Sequence, residues 1–188
     1  LLFCGGRPAA RFHHAEGPAN RGGMFMFREM RRKRQALTRE ACEAVLCRRT
    51  CGVLALSGDD GYPYAVPISY VYHDGKLYFH CARSGHKIDA VKKCAQASFC
   101  VIAQDDIVPQ KFTTYFCSVI AFGQVRIVSD EKEKLETINK LAIKYCPDES
   151  AEAMRREIER EFPALCVLEF TIEHLSGKQA IELCGKTR

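Results

Sequence analysis

Residues 53–87 read VLALSGDDGYPYAVPISYVYHDGKLYFHCARSGHK, and the fold turns on this stretch. Val53 to Ser57 is a short apolar run that stops at Gly58-Asp59-Asp60-Gly61, a dense turn signal. The chain returns as an alternating segment, Tyr62 to His73, with Tyr64, Val66, Ile68, Tyr70 and Tyr72 on one face. Asp74-Gly75 is the dipeptide of a tight hairpin. Lys76 to Ala82 then sets Leu77, Phe79 and Cys81 opposite Tyr78 and His80. Three strands in a meander are expected, followed by a small-residue loop and a helix from about His86 to Cys94.

The flanking sequence extends this pattern. Thr38 is placed to cap a helix that carries Ala41, Val45 and Leu46 on one side and ends near Thr50. Ser98 to Ala103 reads as a strand, and Thr113 to Val128 as a long alternating one bent at Gly123. Asp130 with Glu133 has the spacing of a capping box, ahead of a helical stripe of Leu135, Ile138, Leu141 and Tyr145. Ser150 opens a further helix, Ala151 to Phe162, and Leu165 to His174 is the last strand. The expectation is a mainly β protein with flanking helices: six antiparallel strands in a barrel or sandwich, since a closed sheet hides its edges.

Composition narrows the function classes. The 188 residues suffice for one domain, and 47% apolar content allows a real core. No apolar run approaches the length of a membrane helix, so no membrane role is expected. The excess of 28 Lys and Arg over 23 Asp and Glu is too small to point to nucleic acid. Arg28, Arg31, Arg32, Lys33 and Arg34 cluster with only Glu29 among them, but no aromatic platform accompanies them. They read as a solvated segment. The 11 cysteines form no CxxC pair and mostly occupy positions where Val or Ala would serve. That suits a reduced core and a cytoplasmic location. Residues 1–25 lack periodicity, and Arg21-Gly22-Gly23 before Met24 and Met26 fits a gene start placed too far upstream. The expected division is an N-terminal extension over 1–25, a folded domain over 26–182 and a short tail over 183–188.

Most familiar catalytic machinery is missing from the sequence. There is no GxGxxG, HExxH or GxSxG, and Gly185-Lys186-Thr187 lacks the earlier glycine of a P-loop, since position 180 is Ala180. Two features remain. The loop Arg83-Ser84-Gly85-His86-Lys87 joins a strand to the first turn of a helix, where free backbone N–H groups favour an anion. Pro67 removes a ladder donor from its strand, which must be an edge, bulged, or open to a ligand there. Each feature also has a purely structural reading, as a surface turn and an edge strand. Together they suit a flat cofactor with a phosphate tail.

Three segments, Met30-Arg31-Arg32-Lys33, Gly61 through Tyr70 and Leu77 through Asp89, resemble the pyridoxamine 5′-phosphate oxidase-like superfamily. Within it they are most similar to the 5-nitroimidazole-resistance, or nitroimidazole reductase, branch. The resemblance runs from about Met26 to Glu182. It implies a six-stranded split β-barrel, a homodimer, and FMN bound at the subunit interface. Carried over by position, Pro67, Ile68 and Ser69 would border the isoalloxazine ring. His80 and Cys81 would lie along the ring and ribityl chain, and Ser84 and Lys87 near the phosphate. Thr113, Thr114 and Tyr115 would come from the partner subunit. The end of the chain, Lys178 to Arg188, does not match the arginine-rich substrate end of the vitamin B6 oxidases. The implied activity is an FMN-dependent reductase acting on small nitroaromatic acceptors, with His80 as the catalytic residue. The competing class is a flavin or haem carrier or sensor. His80 itself has two readings, a hydrogen-bonded structural residue or a flavin contact.

Overall fold

A computed structural model describes residues 27–185; residues 1–25, and with them the expected extension, lie outside the described residues, as does the end of the 183–188 tail. Seven strands run β1 Cys51–Ser57, β2 Pro63–Ser69, β3 Val71–His73, β4 Lys76–Ala82, β5 Gln96–Val108, β6 Thr113–Ile127 and β7 Leu165–Gln179. Four α-helices accompany them: α1 Arg39–Arg48, α2 His86–Lys93, α3 Glu131–Tyr145 and α4 Ala151–Glu161. All pairing is antiparallel, in the order β2-β1-β5-β6-β7-β4-β3.

The expected single strand from Tyr62 to His73 is divided, so the count is seven rather than six. Its first half pairs with β1 and its second half with β4, at opposite ends of the sheet order. Only Tyr70 separates the two halves. Seven strands laid flat would span about 29 Å at the usual spacing, whereas two residues of chain reach at most about 7 Å. The sheet must therefore roll until its two edges meet at Tyr70. It does so without a ladder between β2 and β3, so the rolled sheet is not closed by hydrogen bonds.

The corner is fastened from α3. The Tyr145 hydroxyl accepts from the Tyr70 N–H at 2.8 Å and lies 2.9 Å from the Tyr70 carbonyl, and it also meets the Thr50 carbonyl. Lys144 donates to the carbonyls of Arg49 at 2.6 Å and Tyr70 at 3.0 Å.

Alternation sorts the side chains into two apolar layers. Leu54, Leu56, Ile68, Leu77, Phe79, Phe99, Val101, Val119, Leu168 and Phe170 fill the inside of the roll, with Leu46 of α1 and Ile88 of α2 packed against them. Val71, Tyr78 and Val167 face the other way and are covered by Ile138 and Leu141 of α3 and Ile158 of α4. The helices thus shield the outer face only over β3, β4 and β7.

Local signals set the helix starts. Thr38, Asp130 and Ser150 each accept a backbone N–H from three residues on. The expected capping box is one-sided, because the Glu133 carboxylate reaches Arg126 instead. The bend expected at Gly123 is a shift in the β6–β7 register between Phe122 and Gly123. A Cβ there would stand 1.9 Å from the Thr171 carbonyl oxygen, so only glycine fits. β5 and β7 both run five residues beyond their expected ends, at Ala103 and His174. The extra length of β5 pairs with the start of β6 to form a long hairpin arm.

Candidate functional site

The loop between β4 and α2 forms the first element of the site. Gly85 precedes α2 with φ of 112°, a conformation that side chains rarely adopt, and no side chain caps the helix. Its carbonyl accepts from Ile88 and Asp89. The first-turn N–H groups, those of His86 and Lys87 among them, keep no partner within the helix. They face a cavity of about 190 Å³ lined by Tyr64, Cys81, Ser84, Gly85, His86 and Lys87. That volume suits a phosphate and little more.

The side chains around this cavity divide their duties. His86 stacks on Tyr64 with ring centres 4.0 Å apart and sits 3.5 Å from Asp59, so it braces the loop against β2. Lys87 makes no ion pair among the described residues. Its charge lowers the pKa of both His80 and Cys81. At Cys81 burial outweighs that pull and pushes the thiol up to about 11. Cys81 lies directly across from Cys166 of β7 and faces the interior of the roll.

Cys81, Ser84 and Lys87 are therefore brought together, as the sequence suggested. His80 is not brought with them. As the neighbour of Cys81 on a strand, it points to the opposite face. There it borders a groove of about 420 Å³ between β4, α3 and α4, with Ile138, Leu141, Tyr145, Cys146, Ile158 and Leu165. His80 is exposed at the mouth of the groove, where partial desolvation of its ring, and secondarily the charge of Lys87, lower the pKa of the imidazole. His80 has no hydrogen-bond partner among the described residues. It is an uncharged imidazole at neutral pH, free to donate or accept.

Pro67, Ile68 and Ser69 occupy the end of β2, which is an edge of the sheet, one of the three alternatives the proline left open. Pro67 and Ser69 are exposed, while Ile68 points inward and is part of the core. Ser69 lies beside the Tyr145 hydroxyl, which links this edge to the His80 groove.

Thr113, Thr114 and Tyr115 are elsewhere, at the base of β6 in the hairpin arm, opposite Val108, Ile107 and Asp106. Tyr115 accepts from Lys111 at 2.8 Å and lines a third depression, of about 980 Å³, with Arg48, Arg49, Gln104 and Asp106. The ten expected residues thus fall in four places on one chain. Sequence reasoning missed Tyr145, which touches two of them; its place in an amphipathic stripe suggested core packing alone. Among the described residues no group of three or more His, Cys, Asp or Glu is assembled that could hold a metal ion. No described helix is long and apolar enough to cross a membrane.

Comparison with known proteins follows the geometry. Residues 38–179 match the family model described as Pyridoxamine 5′-phosphate oxidase. No curated protein sequence matches. Among solved structures, a candidate 5-nitroimidazole antibiotic resistance protein from Bacteroides thetaiotaomicron superposes with a TM-score of 0.63 at 19% identity. That match covers 77% of this chain and 86% of that one. A conserved protein of Mycobacterium tuberculosis superposes with a TM-score of 0.71 at 14% identity, covering 85% and 96%. An FAD and heme binding protein from Mycobacterium smegmatis gives 0.63 at 21%, covering 78% and 73%. At these identities the likeness is one of fold.

Proposed function

The chain belongs to the pyridoxamine 5′-phosphate oxidase family, and from that premise we propose that it is an FMN-dependent reductase of small nitroaromatic acceptors, working as a homodimer. The observation that carries the flavin assignment is the uncapped start of α2, with Ser84 and an unpaired Lys87 around a phosphate-sized cavity. Such a donor set fits a phosphate monoester. The flavin neighbours among solved structures support the same class of cofactor. The nitroaromatic substrate rests on the resemblance of the Tyr62–Asp89 region and on the fold shared with the Bacteroides protein.

FMN would supply two-electron transfer when bound. The chain's own part is to bind and orient. Ser84, Lys87 and the first-turn N–H groups of α2 hold the phosphate. Pro67 and Ser69 offer the exposed edge of β2 to the ring. The groove beside His80, with its apolar walls from α3 and α4, keeps water from the acceptor. His80, neutral at pH 7, donates an N–H hydrogen bond to the acceptor oxygen on which charge develops. Its fully protonated form, a stronger donor, appears only as the pH falls below the ordinary histidine range.

A second copy is needed for two reasons. Tyr115, with Thr113 and Thr114 before it on β6, lines a different depression from the one that holds Ser84 and Lys87, so one chain does not bring both sets to one flavin. The outer face of β1, β5 and β6 is also apolar and uncovered, as argued below.

The test is anaerobic. Chemically reduced, FMN-loaded protein is mixed with a 5-nitroimidazole and flavin reoxidation is followed. Faster reoxidation than with free reduced FMN is expected, and His80→Ala should slow it by about 10²–10⁴ with FMN still bound. Reoxidation no faster than with free FMN would replace the reductase with a flavin or haem carrier. A protein that takes up no FMN would remove the reductase and the flavin carrier alike. Ser84→Ala combined with Lys87→Ala should weaken FMN binding by about 2–4 kcal/mol, measured by flavin fluorescence titration.

A further inference from the structure

We propose that the chain carries a second anion site, separate from the flavin phosphate site, for a small organic anion with an apolar body and a carboxylate or phosphate head. The site is a cavity of about 350 Å³ between the β4–α2 loop, α2 and the start of α3. Three cations from three elements line it: Arg83, Lys92 and Lys134. Glu131 is the only acid in its walls.

Lys134 carries the argument. Its side chain is only 6% exposed, yet its nearest carboxylate, that of Glu131, is 4.0 Å away and itself 72% exposed. The ammonium donates one hydrogen bond, to the Phe162 carbonyl at 3.0 Å, and lies 4.0 Å above the Phe162 ring. A carbonyl and a ring face neutralise part of a charge, but neither supplies a counter-ion. A buried cation left in this condition is costly, and an anion entering the cavity removes the cost. Arg83 has committed one N–H to the Pro163 carbonyl at 2.8 Å and makes no ion pair among the described residues. Lys92 is exposed and likewise without one. Apart from Ser129 the remaining walls are apolar, from Ile88, Ile127, Val128, Leu165 and Cys166, which is why a ligand with a hydrophobic body fits better than a bare ion.

The cavity adjoins the one at the start of α2 without merging with it. Ile88 borders both, and the facing thiols of Cys81 and Cys166 lie one on each side. The proposal does not depend on flavin binding, because none of its three cations is Ser84 or Lys87.

The experiment is calorimetric titration of the full chain with benzoate, phenyl phosphate and inorganic phosphate. Benzoate and phenyl phosphate separate the two head groups, and inorganic phosphate reports what the apolar walls add. Saturable binding of an aromatic anion, tighter than inorganic phosphate, is expected. Lys134→Met and Lys92→Glu should each weaken it by about tenfold or more, as for a lost charge-assisted contact. Lys92→Glu alters an exposed residue, so it remains informative if Lys134→Met does not fold. Ser84→Ala with Lys87→Ala should leave benzoate binding unchanged, whether or not the protein takes up FMN. No binding at millimolar concentration overturns the proposal. So does binding that survives both lysine variants, and so does benzoate binding abolished by the Ser84 and Lys87 pair, which would place the probe at the start of α2.

Discussion

Two buried polar side chains show how differently single residues are provided for. The Tyr70 hydroxyl is fully buried and has no hydrogen-bond partner, and burial raises its pKa well above the usual tyrosine value. Removing an unpaired buried hydroxyl loses nothing. Tyr70→Phe should therefore change unfolding stability by no more than about 1 kcal/mol, in either direction. Tyr145→Phe removes the hydroxyl that fastens the Tyr70 corner and should cost about 1–3 kcal/mol in urea unfolding. Equal effects of the two would refute this account of the corner. Glu169 is the opposite case. It is 2% exposed and desolvated, yet Arg126 at 2.9 Å and Lys76 at 3.0 Å hold its pKa down to about 2. A depressed carboxyl pKa stabilises the fold above the unfolded value of 4.5, and the contribution is lost as the pH falls from there towards 2. Both cations are partly exposed, so solvent screens part of it. Glu169→Gln should cost about 1–3 kcal/mol at pH 7, and the difference from wild type should close in chemical denaturation series run down to pH 2.

Among the elements, the long strands β5, β6 and β7 decide most of the shape. β6 enters the hairpin arm beyond Cys117, opposite the irregularity between Ile102 and Gln104 of β5, whereas the register shift at Gly123 lies where β6 is paired on both sides. The approach of the Thr171 carbonyl at this point is backbone against backbone, which no rotamer change can relieve. Gly123→Ala should cost about 3 kcal/mol, by shifting β6 away from β7. A melting temperature unchanged by the substitution would mean that the two strands separate more readily than their paired length suggests. At the end of the arm Phe112 has φ of 48° and is 98% exposed, and Ile107 near it is 77% exposed. An apolar tip held in a left-handed turn is an element shaped for contact with something outside its own chain.

For the whole molecule, the decisive asymmetry is that α3 and α4 cover only part of the outer face of the sheet. On the rest, Pro67, Val53, Cys100 and Ile120 form one row across four strands, with Ile102 and Phe122 beside it. Ile102 is 62% exposed, and Phe122 is only partly shielded by the ring of Phe27. Contiguous apolar surface of this kind marks an interaction face, and a twofold arrangement lets the same face cover itself. Light scattering at micromolar concentration should give a dimer, and Ile102→Glu should shift it towards monomer with loss of bound flavin. A flavin-bound monomer would refute both the dimer and the composite site.

Much of this was legible in the residues. Alternation from Tyr64 to Tyr72, the Asp74-Gly75 turn, the capping residues Thr38, Asp130 and Ser150, and the edge position that Pro67 allows are all local signals, and backbone sterics and hydrogen bonding enforce them wherever the segment lies. The grouping of Cys81, Ser84 and Lys87 was legible for the same reason, since seven consecutive residues across a short strand-to-helix turn cannot stray far apart. The break at Tyr70 was not, because the alternation continues through it; only the rolling of the sheet sends its two halves to different partners. Nor was the parting of His80 from Cys81 into separate cavities. The pleat sets neighbouring side chains on opposite faces, but what covers the face of His80 is decided by α3 and α4, which begin about 50 and 70 residues further along the chain. Burial of Lys134 with only a distant, exposed carboxylate beside it belongs to the same class. Its sequence neighbours are ordinary helix formers, and its enclosure comes from Phe162 and the β4–α2 loop, which meet it only once the chain has folded.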